Sequence, residues 1–131
     1  MRLLFFLIAL ITLASCARID NTRPTINQML INTIEADSIG LANGDITVTY
    51  LVSDNEEIVD SRVRCMQLNS GDSGFVFLDI RNVNAGSYSG EVNFSIPDSI
   101  QEPLTYFNIT VDAFDNSANQ AIQRSTIIFF K

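Results

Sequence analysis

The stretch "GDITVTYLVSD", residues 44 to 54, alternates apolar and polar side chains, with Ile46, Val48, Tyr50 and Val52 on one side and Thr47 and Thr49 on the other. A strand sends successive side chains to opposite faces, so this period of two predicts a half-buried β-strand. A helix would need apolar residues three and four apart. The period recurs on both sides of the opening stretch. Residues 25–34 read as a strand, and residues 57–68 as another, with Ile58, Val63 and Cys65 inward and a bulge expected near Met66. Residues 75–80 lie between "NSGDSG" and "NVNAGS", both dense in turn residues. Residues 88–96 put Gly90, Val92, Phe94 and Ile96 on one side, and residues 104–114 do the same with Thr105, Phe107, Ile109, Val111 and Ala113. Residues 121–130 form a last strand.

Seven such segments in about 100 residues predict an all-β fold, an immunoglobulin-like β-sandwich of about seven antiparallel strands over residues 25–131. The chain has no Trp and two Cys. Its core must therefore rest on Ile, Val, Leu and Phe rather than on a disulfide packed against a tryptophan.

The first fifteen residues read differently. Arg2 is followed by an apolar run from Leu3 to Ile11, which is too short for the roughly 20 residues of a membrane span and has the layout of an export signal. The run ends in Leu13-Ala14-Ser15-Cys16, which resembles the bacterial lipobox. That resemblance implies cleavage between Ser15 and Cys16, a diacylglyceryl group on the Cys16 thiol, and acylation of the new amine. Each buried CH₂ contributes about 0.8 kcal/mol to partitioning, so two or three acyl chains hold a protein on a membrane durably. The alternative is a soluble secreted chain cut at a nearby small residue. Residues 16–24 then serve as lipidated cysteine and tether, with Ala17 to Pro24 reaching at most about 27 Å when extended. The expected location is the cell envelope, at the outer membrane, with the lipid as the link to the bilayer. Cys65 would have no partner within the chain and reads as a small buried hydrophobe.

Four stretches carry a wider resemblance: "DNTRPTI" from Asp20, "SDNEEIVDSRVRC" from Ser53, "YSGEVNFSIP" from Tyr88, and above all "ITVDAFDNSANQA" from Ile109. They resemble bacterial immunoglobulin-like domains, whose last hairpin often carries an Asp and Asn-rich turn. A single such domain behind a lipobox is similar to small lipoproteins of the Bacteroidota. Ser117-Ala118 departs from the Ala-Gly pair commoner in that turn, so the resemblance implies fold more than activity.

Without Arg2, seven basic residues face fifteen acidic ones, a net charge of −8. An acidic chain with no Lys/Arg stripe is repelled by nucleic acid, so no nucleic-acid partner is expected. The absence of His removes the Ser-His-Asp and Cys-His arrangements, and the carboxylates that could pair for acid–base work sit mostly in predicted loops, so no enzyme is expected. Zinc normally needs Cys and His ligands and is not expected either. Calcium takes oxygen ligands, and Asp54 and Glu56 in one predicted loop with Asp112, Asp115 and Asn116 in another form a candidate set, joined by Asn119. The competing reading makes these Asp and Asn residues turn formers. No other cofactor is expected. Asn93 and Asn108 match the N-glycosylation sequon by chance within strands, whereas Asp37-Ser38-Ile39 and Asp98-Ser99-Ile100 resemble a bacterial O-glycosylation motif at Ser38 and Ser99.

These features suggest a binding or spacer module of the envelope, meeting an unknown protein or glycan through the loops at 53–57, 82–87 and 114–120. The alternative is a periplasm-facing inhibitor or assembly chaperone using the edge of the last strand, expected to be uncovered.

Overall fold

The structure, a computed structural model, describes residues 20–131. The expected signal segment 1–15 and the lipidation site Cys16 lie outside the described residues. The described chain is all-β, with six strands: β1 (Thr25–Ile31), β2 (Ser38–Leu41), β3 (Asp45–Gln67), β4 (Val76–Ser95), β5 (Tyr106–Asp115) and β6 (Arg124–Phe130). Two short 3-10 turns, Gly71–Ser73 and Asp98–Ile100, interrupt the connections. No helix of the described residues is long and apolar enough to cross a membrane.

The strands form one curled, open sheet in the order β1-β3-β5-β6-β2, with β4 also paired to β3. Seven antiparallel strands were expected, and two of the differences share one cause. The segments around Thr47 and Val63 are a single 23-residue strand, β3, and those around Leu78 and Val92 are a single 20-residue strand, β4. Asp54 to Glu57 does not break the strand. It shifts the β3–β4 register between Ser53 and Ile58 and again between Ile58 and Asp60. A bulge bends a strand and increases its twist without ending it, so the bend lies here and not near Met66. The first half of β3 pairs with β1 and the second half with β5, while β4 runs antiparallel to both.

Two further departures lie near the first strand. β1 stops at Ile31 because Asn32 and Thr33 both have positive φ, 48° and 70°. The backbone N–H of Ile31 donates to Ile34 O and that of Ile34 to Ile31 O, each at 2.9 Å. That is the geometry of a two-residue primed turn, in which Asn is favoured. Asn32 also accepts from Thr47 N–H at 2.8 Å and donates to Asp45 O at 3.1 Å, fixing the turn to β3. The chain then forms β2, four residues that pair in parallel with β6. The last strand is thus covered on both sides, by β5 and β2, and offers no edge for a partner strand. Four residues containing Gly40 are too short for a period to announce them.

The core sits inside the curl. Ile46, Val48, Tyr50 and Val52 from the first half of β3 are buried against Ile58, Val63 and Cys65 from its second half, with Phe107, Ile109, Val111 and Ala113 of β5 and Ile128 of β6. The Phe77 and Phe94 rings of β4 stack at 4.2 Å, so β4 also turns back on itself. Gly90 lies under the Tyr50 ring, where an added Cβ would come within 2.3 Å of it.

Candidate cation site

The bend of β3 brings three chain segments together. Asp20 precedes β1, Asp54 sits in the bend, and Asp115 ends β5; one carboxylate oxygen from each lies within 4.8 Å of the others. The sequence set of Asp54, Glu56, Asp112, Asp115 and Asn116 is therefore assembled only in part. Asp112 and Asp115 are three residues apart, an odd number, and a strand sends such residues to opposite faces. Asp112 turns to the outer face, where Gln120 and Gln123 side chains donate to its Oδ2 and Ala113 N–H donates to its Oδ1. Glu56 reaches the Ser117 hydroxyl at 3.3 Å, beside the cluster. Asn116 contributes only its backbone N–H, donated to Glu57 O at 3.1 Å.

Asp115 is the buried and best-held member. Its Oδ1 accepts from the backbone N–H groups of Ser117 and Asn119 at 2.9 and 2.8 Å, and its Oδ2 accepts from Asn119 Nδ2 at 2.8 Å. The turn-forming reading of this Asp is correct, and the same turn aims the carboxylate at its neighbours. Asn119 Nδ2 also donates to Asp20 O at 2.9 Å, tying the segment ahead of β1 to the β5–β6 turn. Asp20 Oδ1 accepts from Thr22 N–H, and Asp54 Oδ1 from Asn55 N–H, each at 2.9 Å.

Two oxygens are left over. Asp20 Oδ2 and Asp54 Oδ2 are shielded from solvent and have no hydrogen-bond donor. Shielding a carboxylate oxygen without a partner is costly, and three carboxylates at this distance repel one another. The two acids respond differently. Burial, reinforced by the charges of Asp115 and Asp20, pushes the Asp54 carboxyl up despite the Asn55 N–H. The Thr22 N–H holds the Asp20 carboxyl below its usual range. Carboxylates from three chain positions, two of which keep an oxygen without a donor, fit a hard oxygen-binding cation such as calcium, with carbonyl and water oxygens completing its six to eight ligands.

Asp20 is the member that sequence reasoning missed. It lies in the segment expected to be a tether, and only its bond to Asn119, 99 residues away, reveals its place in the cluster. The two candidate glycosylation serines are exposed, Ser38 at the start of β2 and Ser99 in the second 3-10 turn.

No family model and no curated protein matches the sequence. Among solved structures, the chain resembles a family 76 glycoside hydrolase from a bovine Bacteroides thetaiotaomicron strain, with 13% identity and a TM-score of 0.47 over 84% of this chain and 21% of that one. It also resembles Spo0M, a sporulation control protein from Bacillus subtilis, with 10% identity and a TM-score of 0.49 over 84% of this chain and 50% of that one. The chain thus spans a fifth and a half of the lengths of these two proteins. One expectation is corrected here. That the chain is no enzyme does not follow from its missing His, and that expectation is withdrawn. Glycoside hydrolysis ordinarily uses carboxylates, so lack of His does not exclude it. The likeness is one of fold and assigns no activity to this chain.

Proposed function

We propose that the chain is an immunoglobulin-like binding or spacer module held on the bacterial cell envelope by lipid on Cys16, with the bend of β3 toward the membrane. Support for the immunoglobulin-like reading comes from the pairing order. The first half of β3 lies between β1 and the second half of β4, whereas its second half lies between β5 and the first half of β4. Two facing layers joined through β3 and β4 are what a sandwich of this kind needs, with β2 and β6 completing the second layer.

The single observation that carries the orientation is the bond from Asn119 Nδ2 to Asp20 O. Three residues lie between Cys16 and Asp20, and the four steps of chain span at most about 14 Å. A lipid on Cys16 therefore holds Asp20, and with it Asp54 and Asp115, near the headgroups. The bend of β3 at 53–57, the facing stretch of β4 at 82–87 and the turn at 114–120 then face the membrane and not a partner. The outward end carries the turns at 42–44, 68–74 and 97–105, where Leu104 is 83% exposed. Calcium on the three carboxylates would fasten the membrane-side end and neutralise acidic groups that anionic headgroups repel.

Feeding cells an alkyne analogue of palmitate tests the anchor. Label on the full-length chain that disappears in Cys16→Ala is the expected result, and an unlabelled parent chain overturns it.

A further inference from the structure

We propose that the first half of β4 is a self-association edge, pairing antiparallel with the same segment of a second copy about a two-fold axis through Leu78. Among the described residues, β4 neighbours no strand but β3, so its far side is open. Gln67 N–H donates to Phe75 O, and hydrogen-bonded residues alternate along an antiparallel pair. The backbone groups of Phe75, Phe77 and Asp79 therefore turn to β3, and those of Val76, Leu78 and Ile80 turn outward.

The same three residues expose their side chains on the outer face, at 60%, 54% and 53%. Strand edges of soluble monomers are normally protected by charge, proline or a covering element. The second half of β4 follows that rule, with Ser87, Ser89, Glu91, Asn93 and Ser95 outward. Only the segment from Val76 to Ile80 does not, and a matching strand is what its backbone and side chains together accept.

The sequence of the edge selects both occupant and register. Antiparallel self-pairings that match the outward backbone groups can centre on any residue of the segment. An axis through Val76 or Phe77 sets Ile80 against Asp72 or Gly74, outside the apolar strand. An axis through Asp79 sets that carboxylate opposite its own copy, which is unfavourable. An axis through Ile80 sets Leu78 against Asn82 and Val76 against Asn84. An axis through Leu78 sets Leu78 against itself and Val76 against Ile80 on both sides, so all six apolar residues meet apolar residues. It also places Asp79 and Arg81 opposite Phe77 and Phe75, with no like charges facing. Asp79 and Arg81 keep their own ion pair at 2.9 Å.

Cysteine cross-linking on the full-length chain tests this. Hydrogen-bonded antiparallel pairs place Cα atoms about 5.5 Å apart, within disulfide reach, but only the residue on the axis meets its own copy. Under mild oxidation, Leu78→Cys should double the apparent mass, while Val76→Cys and Ile80→Cys stay at the level of the parent chain. Leu78→Lys should lose the dimer in cross-linking with an amine-independent, carboxyl-directed reagent while keeping the parent's circular dichroism. Equal cross-linking at all three positions, none at Leu78, or an adduct with a different protein would each overturn the proposal.

Discussion

The hydroxyls of Tyr50 and Ser61 lie 2.7 Å apart inside the core, although both belong to the one strand β3. Eleven residues of unbroken strand would separate them by about 36 Å. Their contact therefore records how completely β3 folds over at Asp54 to Glu57, and everything placed at that bend depends on it. Tyr50→Phe should lower stability by about 1–3 kcal/mol, because it leaves the Ser61 hydroxyl buried without a partner. Gly90→Ala should cost a similar amount, about 1–3 kcal/mol, by driving a methyl group into the Tyr50 ring. Urea denaturation of each variant measures both; unchanged midpoints would mean that the two halves of β3 do not press together as described.

Asp54 should be the residue through which the carboxylate cluster reports on calcium. In chelator, Asp54→Asn should raise the melting temperature at pH 7 by removing one of three mutually repelling, partly or fully buried charges. In calcium, the parent chain should gain stability and the variant should gain much less. A parent chain whose melting temperature ignores calcium contradicts the cation site.

The pH dependence in chelator follows from the two shifted acids. The Asp54 carboxyl is raised in the folded state, so folding favours its protonated form. Its contribution is present at low pH and is lost as pH rises through its folded pKa. Asp20 is lowered, so its contribution is present above the unfolded value and is lost as pH falls through its folded pKa. Lowering pH from 7 should therefore first stabilise the chain, through Asp54, and destabilise it only below the usual carboxylate range. Asp54→Asn should remove the first phase, as seen in melting temperatures across a buffer series.

Cys65 should be chemically silent. It is fully buried in β3, and that burial pushes its thiol up to about 12. The thiolate is the reactive form, so alkylating reagents at pH 8 should leave Cys65 unmodified in the native chain and modify it in urea. Rapid native labelling, read by peptide mass, would mean that the strand opens.

The alternation of Ile46, Val48, Tyr50 and Val52 was enough to read the inner face of β3 directly, and Phe107 to Ala113 did the same for β5. What the alternation could not reveal was continuity. Asp, Asn and Glu at 54–57 look like a loop because their side chains favour turns, but the strand carries on through them and resumes its pairing with β4 at Ile58. The short β2 carries too few residues to show a period, and its parallel pairing with β6 depends on a partner about 90 positions away. The cation site was half legible for the same reason. Asp54 and Asp115 stand out in acidic runs, whereas Asp20 is marked only by a tertiary bond, and Asp112 was grouped with Asp115 although strand parity separates them.

The proposed orientation is tested most directly by two fluorescent labels on the lipidated full-length chain in vesicles whose headgroups carry a quencher. One label goes on Gly86→Cys, beside the bend, where an added Cβ makes only ordinary contacts with Glu56 and Asp54 carbonyl oxygens. The other goes on Leu104→Cys at the far end. The account predicts strong quenching at position 86 and little at position 104. Stronger quenching at position 104 would contradict it.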